Sequence, residues 1–366
     1  MYKIAKYLFY KRAPVPIYLN HFITRRCNAH CPHCFAIVGS QPQKKDELTL
    51  DEIEKVTKSF RGNLFHVNIT GGEPFLRVDI KEILIAYIRY AGVKTMQVLT
   101  NASCADKIKE IIPEIAEKYR NTTIILGFSI DDTSERHDKY RGLGNAYSNT
   151  ISTYLYIKKL NIKNIDMDVG ITVTSENQDR IKAVHDELLS KGVNTISCSL
   201  ARGDEIDEEL KRVDMDKYIE FVDILNKETA SGILKNLTSF RGASLLNAKA
   251  NVLRKLIYKT VVVNQYHSPC YAGRLAGVLD ADGEVKVCEM INNRVGNVRE
   301  YNYDFGKVWT NNAIKRILME KVDKQCFCTH ECFGTLNVMF NFRNVLWVFL
   351  EFCRNQVKKR LMLLSS

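Results

Sequence analysis

The strongest constraint on the fold is a regular alternation along the first 230 residues. Short runs rich in apolar and β-branched residues alternate with segments whose apolar residues recur at helical spacing. Such runs are typical of parallel strands buried on both faces, with right-handed crossovers that place the helices outside the sheet. Six strand–helix units in about 210 residues are too few for a closed eight-stranded barrel, so the sequence predicts an α/β protein with a partial (β/α)6 TIM-like barrel. The predicted strands are 17–23, 64–70, 95–100, 123–130, 165–174 and 195–200, and the predicted helices are 50–60, 79–90, 105–119, 147–160, 180–190 and 215–229.

Polar motifs follow the ends of four of these strands. In chain order they begin at or contain Cys27, Gly71, Asn101 and Asp131. In folds built from parallel strands, the chemistry takes place at the carboxyl ends of the strands. We therefore expect these four motifs to meet in one active site.

Three cysteines lie close together after the first strand, with the spacing C-x3-C-x2-C. A loop of this length can turn all three sulfur atoms towards one centre, and soft thiolates favour an iron–sulfur cluster or zinc. Three thiolates on a four-iron cube leave one iron open to a small chelating ligand, whereas structural zinc needs a fourth ligand, which His30 or His33 could supply. The predicted ligands are Cys27, Cys31 and Cys34, and the rest of the chain favours the cluster.

With the aromatic residue that follows it, Phe35, the cysteine motif resembles that of the radical S-adenosylmethionine (SAM) superfamily. The resemblance covers residues 17–230. It implies that the open iron of a [4Fe-4S] cluster chelates the amino and carboxylate groups of SAM. It also implies that an electron from a reductant such as ferredoxin or flavodoxin cleaves SAM, and that the resulting 5′-deoxyadenosyl radical abstracts a hydrogen atom from the substrate.

The second strand runs into Gly71-Gly72-Glu73, which resembles the GGEP motif of that superfamily. By itself the sequence Gly-Gly-Glu-Pro is only a turn signal. The resemblance implies that backbone carbonyl groups and Glu73 contact the ammonium group of SAM. Two glycines permit a close approach of the backbone, and a carboxylate suits a cation.

Further matches follow the third and fourth strands. Ser129 and Asp131 resemble an S-x-D stretch that contacts SAM, and Asn101 resembles the asparagine of a T-N-G motif. Ala102 replaces the glycine of that motif here, so the turn is expected to differ. The resemblance assigns Arg141 to the carboxylate of SAM, with a salt bridge at the entry of a helix as the alternative.

A second group of cysteines lies nearer the carboxyl end. Two flank a hairpin signal at Asp280–Glu284 with the spacing C-x12-G-x4-C, and three follow as C-x-C-x3-C. This arrangement resembles the SPASM and twitch extensions of radical SAM enzymes, which hold auxiliary clusters. The full SPASM pattern, C-x2-C-x5-C-x3-C, is longer and holds two clusters, so the resemblance implies one auxiliary [4Fe-4S] cluster here. The predicted ligands are Cys270, Cys288 and Cys332 with either Cys326 or Cys328.

Zinc held by the same residues is the alternative for this second site. The remaining cysteines, Cys104, Cys198 and Cys353, are predicted to be buried as small apolar side chains.

The sequence divides into an amino-terminal basic and aromatic segment, the barrel, a basic connector, an auxiliary-cluster domain and an aromatic and basic tail. Their predicted bounds are 1–16, 17–230, 231–262, 263–336 and 337–366.

The formal net charge of +11 is explained either by an anionic partner or by solubility alone. No nucleic-acid-binding module is recognisable, so nucleic acid is not a predicted partner. The tail is expected either to dock as a helix that closes the open barrel or to lie on an anionic membrane surface, where the amino-terminal Lys3, Lys6, Lys11 and Arg12 could join it. Without an export signal or an apolar run of about 18 residues, a cytoplasmic location is expected, with peripheral membrane contact as an addition.

We predict a radical SAM enzyme that oxidises, epimerises or crosslinks a sugar, a lipid-linked compound or another small molecule. The preference over a peptide substrate rests on the absence of a recognisable peptide-recognition domain before the first strand. Modification of a ribosomal peptide or a protein is the alternative, and a non-enzymatic zinc-binding protein is the alternative from another class. The sequence identifies no catalytic residue beyond the cofactor ligands.

Overall fold

A sheet of parallel and antiparallel strands forms the framework of the protein. The computed structural model describes residues 13–35, 46–235, 243–291 and 294–364, with the backbone alone for 243, 244, 246, 247 and 357–364. Within these residues the sheet has nine strands in the order β6-β5-β4-β3-β2-β1-β7-β8-β9. The strands are β1 Tyr18–Thr24, β2 His66–Gly71, β3 Thr95–Thr100, β4 Thr123–Ser129, β5 Ile165–Val173, β6 Ile196–Leu200, β7 Ala276–Leu279, β8 Glu284–Lys286 and β9 Arg294–Asn297.

The first six strands are parallel and neighbour one another in chain order. This arrangement confirms the predicted partial barrel, because each crossover carries the chain through a helix to the next strand. The helices are α1 Leu50–Ser59, α2 Ile80–Ala86, α3 Ala105–Lys118, α4 Ser134–Arg141, α5 Ala146–Leu160, α6 Ile181–Ser190, α7 Met215–Ser231, α8 Ala243–Val263, α9 Phe305–Trp309, α10 Asn312–Ile317, α11 Glu331–Met339 and α12 Phe342–Leu364.

Residues of the predicted second domain extend the sheet of the barrel. β7 pairs in parallel with β1 on the side away from β2, and β8 and β9 then continue in antiparallel fashion. The β7–β8 connection is the hairpin predicted at Asp280–Glu284. The strand that leads into the first cysteine motif therefore has a barrel strand on one side and a strand from the carboxyl-terminal region on the other.

The two faces of the barrel strands differ in chemistry. Outward residues such as Leu19 and Ile23 are fully buried beneath the helices. Several inward residues are polar: the Asn68 amide donates to Asn20 Oδ1 and to the Tyr18 hydroxyl, each at 2.9 Å. The interior of the barrel is therefore a hydrogen-bonding environment rather than an apolar plug.

The basic connector and the tail both contain long helices. The predicted connector holds most of α8, and the predicted tail holds α12, which packs against α8. The two helices run antiparallel, since Lys255 pairs with Glu351 at 3.1 Å and Lys259 lies 5.1 Å from the centre of the Trp347 ring. The tail thus contains a docking helix, but in the described residues it packs on other helices, mainly α8, rather than on an open edge of the barrel.

One cysteine prediction is wrong. Cys198 is buried as predicted, but Cys353 is exposed because it lies on the face of α12 that points away from α8. Cys104 is only partly buried. The basic residues Lys3, Lys6, Lys11 and Arg12 lie outside the described residues.

None of the helices in the described part of the chain is long and apolar enough to cross a membrane.

Candidate active site and second cysteine site

A cavity of about 240 Å³ opens at the carboxyl ends of the barrel strands. Residues from both the cysteine loop and the strand ends line it, as expected for a fold of parallel strands. Of the predicted residues for the cluster and SAM, all except Glu73 and Asp131 lie in its wall. Those that line it are Cys27, Cys31, Cys34, Gly71, Gly72, Asn101, Ser129 and Arg141.

The two glycines allow the end of β2 to press against the chain that enters the cysteine loop. The Gly72 amide donates to Thr24 O at 2.7 Å, and a Cβ at Gly72 would lie 1.9 Å from Arg26 O. Gly71 has a φ of 140°, which favours glycine, and a Cβ there would lie 2.0 Å from Thr24 O. The close backbone approach at these glycines is therefore an approach between the end of β2 and the segment that enters the cysteine loop.

Glu73 lies behind the cavity wall rather than in it. Its side chain is 1 % exposed and accepts hydrogen bonds from Phe75 N at 3.0 Å, Thr100 Oγ1 at 2.9 Å and Asn101 N at 2.7 Å. Burial raises the pKa of Glu73 to about 7, although these hydrogen bonds oppose the rise. The carboxyl group thereby connects the turn after β2 to the end of β3, and its contact with SAM stays a prediction.

Asn101 connects the end of β3 to the cysteine loop. Its side-chain amide donates to Asn28 Oδ1 at 3.0 Å and lies 3.9 Å from Cys27 Sγ. The next residue, Ala102, has a φ of 56°, a conformation that favours glycine. The turn therefore keeps the left-handed geometry that suits glycine although alanine replaces it.

Asp131 and Arg141 form a buried ion pair beside the cavity. Arg141 Nη2 lies 2.7 Å from Asp131 Oδ2, and Thr172 N donates to Oδ1 of the same carboxylate at 2.9 Å. Burial alone would raise the pKa of Asp131, but Arg141, His33, His137 and the hydrogen bond from Thr172 together outweigh burial and lower that pKa to about 2. Arg141 is the last residue of α4 rather than a residue of its entry, and it both forms this pair and lines the cavity.

His33, which sequence reasoning considered only as a zinc ligand, has a different environment. Its ring stacks on Tyr140 at 5.4 Å, and its Nδ1 lies 3.2 Å from the Tyr140 hydroxyl. Its Nε2 lies 3.5 Å from Asp131 Oδ2. Both ring nitrogens thus contact protein groups, and this supports a role for His33 in positioning the cysteine loop.

Arg202 is the lining residue that sequence reasoning missed. It follows β6, so its place after a strand end was the only available signal. Its Nε is buried and has no hydrogen-bond partner among the described residues, and its contact with Glu289 is 3.9 Å long. Arg202 is therefore a positively charged residue of the cavity wall whose hydrogen-bonding capacity the protein contacts do not fully satisfy.

A second cavity, of about 170 Å³, lies in the carboxyl-terminal region. Four cysteines line it: Cys270, Cys288, Cys326 and Cys328. The fifth predicted cysteine, Cys332, is in the first turn of α11 and is not part of this lining. Both Cys326 and Cys328 therefore face the site, where the sequence predicted one of them.

A series of buried polar contacts links the two cavities. Arg202 faces Glu289, and Glu289 accepts a hydrogen bond from the Asn20 amide at 3.0 Å. Glu289 also pairs with the buried ring of His330, which is flanked by the thiols of Cys288 and Cys332. The chain of contacts begins at the cavity of the first cysteine motif and ends at the second cysteine group.

Thiols at both sites are held in surroundings that disfavour the free thiolate. Burial raises the pKa of Cys31 to about 11 and that of Cys270 to about 12. Within the described residues, no group of three or more His, Cys, Asp or Glu side chains is arranged to hold a single metal ion. The donor set of the first cavity, three soft thiols beside an open space, fits a cluster with an open iron.

Several known proteins are similar to this chain. A model of the radical SAM superfamily matches residues 22–188. The antilisterial bacteriocin subtilosin biosynthesis protein AlbA of Bacillus subtilis (strain 168) is 29% identical over 186 residues, which are 50% of this chain and 39% of AlbA. An AdoMet-dependent heme synthase of Methanosarcina barkeri (strain Fusaro / DSM 804) is 26% identical over 321 residues, which are 84% of this chain and 85% of that protein.

Solved structures show the same fold. The structure of Streptococcus suis SuiB bound to precursor peptide SuiA superposes with a TM-score of 0.61 at 16% identity, covering 87% of this chain and 70% of that one. Native anSMEcpe with bound AdoMet superposes with a TM-score of 0.58 at 16% identity, covering 94% of this chain and 98% of that one. The superfamily model covers the cysteine motif and every strand from β2 to β5, and the fold is that of these structures, so residues 22–188 form a radical SAM domain.

Proposed function

We propose that the protein cleaves SAM reductively at a [4Fe-4S] cluster held by Cys27, Cys31 and Cys34 and removes a hydrogen atom from a substrate. The observation that carries this proposal is the shared cavity: three thiols, the Gly71–Gly72 turn and Arg141 open onto one space at the strand ends. When bound, the cluster would supply SAM with an electron taken from an external reductant, and cleavage of a carbon–sulfur bond of SAM would give methionine and the 5′-deoxyadenosyl radical.

The residues of the chain would bind the cluster and SAM and shield the radical. The three thiols would hold the cluster, while Arg141 and Asn101 offer polar groups to the amino-acid part of SAM. Phe22 and Phe35 pack edge to face at 6.5 Å in the cavity wall. An apolar wall of this kind limits side reactions of a radical with solvent or protein.

For the second site we propose one auxiliary [4Fe-4S] cluster. The arrangement of the cavity supports ligation by Cys270, Cys288, Cys326 and Cys328, with Cys332 as the alternative to one of the last two. The cluster would either accept an electron from the substrate radical or shape the substrate pocket. The polar contacts from Arg202 through Glu289 to His330 support a substrate that lies between the two sites.

We propose a small molecule with an anionic group as the substrate. Arg202 supports this choice, since its guanidinium faces the cavity and its Nε has no hydrogen-bond partner among the described residues. The comparisons add that the relative aligned over 84% of this chain and 85% of its own length is named a heme synthase. A sugar acid, a sugar phosphate and a lipid-linked phosphate all have the required charge.

Peptide modification is the second candidate. Relatives named for bacteriocin biosynthesis and for sporulation killing factor maturation support it, as does the likeness to SuiB bound to its precursor peptide. Because the chain spans 39% of AlbA and 63% of the maturation protein, these names extend to this chain only as a proposal.

The first experiment is anaerobic reconstitution with iron and sulfide, followed by SAM and a strong reductant. We expect on the order of eight iron atoms per chain and the release of 5′-deoxyadenosine, measured by mass spectrometry. The triple variant Cys27→Ala, Cys31→Ala, Cys34→Ala should lose about half of the iron and all of the 5′-deoxyadenosine. The matched control, Cys104→Ala with Cys353→Ala, should lose neither.

Two outcomes would contradict the proposal. A fully iron-loaded protein that releases no 5′-deoxyadenosine would exclude reductive cleavage of SAM. Retention of zinc in place of iron would favour the zinc-binding alternative. The substrate class is tested separately with Arg202→Gln and Arg202→Lys: turnover of an anionic substrate should be lost in the first variant and partly kept in the second.

A further inference from the structure

The outer side of α12 exposes large apolar residues although the helix is docked on its other side. Phe342 is 82% exposed, Leu346 51%, Phe349 56% and Leu350 58%. These four residues, called here the α12 face, are spaced four, three and one residues apart and so share one side of the helix. A surface helix usually turns such a stripe towards the core, but the core side of α12 is already occupied by Val348 against α8.

The exposed charged residues described on α12 are basic. Helix α12 contains five basic residues and one acidic residue. The acidic residue, Glu351, is buried and paired with Lys255, so it contributes no exposed negative charge. Arg343 and Arg354 are both exposed beside the α12 face.

The carboxyl end of α8 extends the apolar surface. The antiparallel register of α8 and α12, set by Lys255 with Glu351 and Lys259 with Trp347, brings residues 261–263 to the level at which α12 begins. These three valines are each more than one third exposed. Exposed apolar residues therefore occur on both helices at the level of Phe342.

We propose that the α12 face binds the surface of an anionic lipid bilayer. The apolar residues would enter the boundary between headgroups and acyl chains, while Arg343 and Arg354 would contact lipid phosphates. The complementarity of charge favours lipid, because the exposed charged residues of α12 beside the apolar stripe, Arg343 and Arg354, are basic and suit an anionic plane. This proposal does not depend on the substrate.

The test is sedimentation of the full, cluster-loaded chain with vesicles under anaerobic conditions. We expect binding to vesicles of phosphatidylcholine mixed with phosphatidylglycerol, little binding to phosphatidylcholine alone, and weakening by salt. The double variant Phe342→Ser, Phe349→Ser should bind at least about tenfold more weakly. The double variant Arg343→Glu, Arg354→Glu should lose the preference for anionic vesicles.

The matched control replaces two apolar residues that are exposed elsewhere, Val78→Ser and Met319→Ser, which are 83% and 64% exposed. It should bind vesicles like the original chain, and circular dichroism and iron content should be alike in all variants. Absence of binding to the anionic vesicles would overturn the proposal. So would equal weakening in the control, or a dimer in sedimentation analysis that the Phe342→Ser, Phe349→Ser variant abolishes while no variant binds vesicles.

Discussion

At the first site, contacts within the protein constrain the choice of individual residues as much as the expected cofactor does. Gly72 shows this most clearly, because any side chain there would meet the carbonyl oxygen of Arg26 at 1.9 Å. Glu73 satisfies three donors of the chain, and His33 contacts Asp131 and Tyr140. Contacts within the protein therefore contribute to the position of the cysteine loop.

We predict that Gly72→Ala displaces this loop. Because the obstructing atom belongs to the backbone, the variant should lose about 1–3 kcal/mol of unfolding free energy, and its iron content after reconstitution should fall. Gly144→Ala is the control, since a Cβ at Gly144 would have nothing within 4 Å. Thermal denaturation and iron analysis give the two readouts, and equal behaviour of the two variants would refute the prediction.

The residues of the site were predictable to different degrees. The cysteines and the Gly-Gly turn could be predicted because each forms a short sequence motif with a recognisable spacing. The structure brings both motifs to one cavity. Arg202 was not, since a lone arginine after a strand has no distinguishing pattern and acquires meaning only from the cavity it faces. The same holds for Tyr140, whose contact with His33 joins residues far apart in the chain.

At the scale of elements, the barrel strands and helices were predictable because each has its own local periodicity. The strands β7 to β9 are short, and the pairing of β7 with β1 joins residues more than 250 positions apart, so no local pattern could indicate it. α8 was expected only as a basic connector, because its many charged residues obscured the apolar positions that face α12.

The packing of β7 depends on one glycine. Gly277 lies beneath the fully buried ring of Trp309 in α9, and a Cβ there would lie 2.5 Å from the ring. We predict that Gly277→Ala reduces the unfolding free energy by about 1–3 kcal/mol, because the ring has no space to move aside. Gly170→Ala in β5 is the control.

In that control a Cβ would meet only ordinary contacts, at 3.7 Å. Chemical denaturation of both variants measures the difference. A loss in Gly170→Ala as large as that in Gly277→Ala would show that strand glycines matter here for a reason other than the ring.

At the scale of the whole molecule, the two cysteine sites belong to one sheet. β1 lies between β2 and β7, and beyond the strands Arg25 pairs with Asp280. The barrel therefore has no free edge at β1 as long as the carboxyl-terminal region is present.

We predict that a chain ending at residue 235 does not fold as an independent barrel. Its β1 would present an unpaired edge, which favours aggregation, and Asn20 would lose its partner Glu289. A chain ending at residue 341, which keeps all strands, serves as the control. Size-exclusion chromatography distinguishes the outcomes, and a soluble monomeric barrel from the shorter chain would contradict the prediction.

The continuous sheet also limits the positions at which a chimera of this protein and a relative can be joined. A chimera joined near residue 263 would pair a native β1 with a foreign β7, so the exchanged part must match the register from Tyr18 with Ala276 to His21 with Leu279. A junction after residue 341 divides no strand pair. Segments that appear to be separate domains in the sequence can thus be exchanged without breaking a strand pair only at junctions that follow the last strand of the sheet.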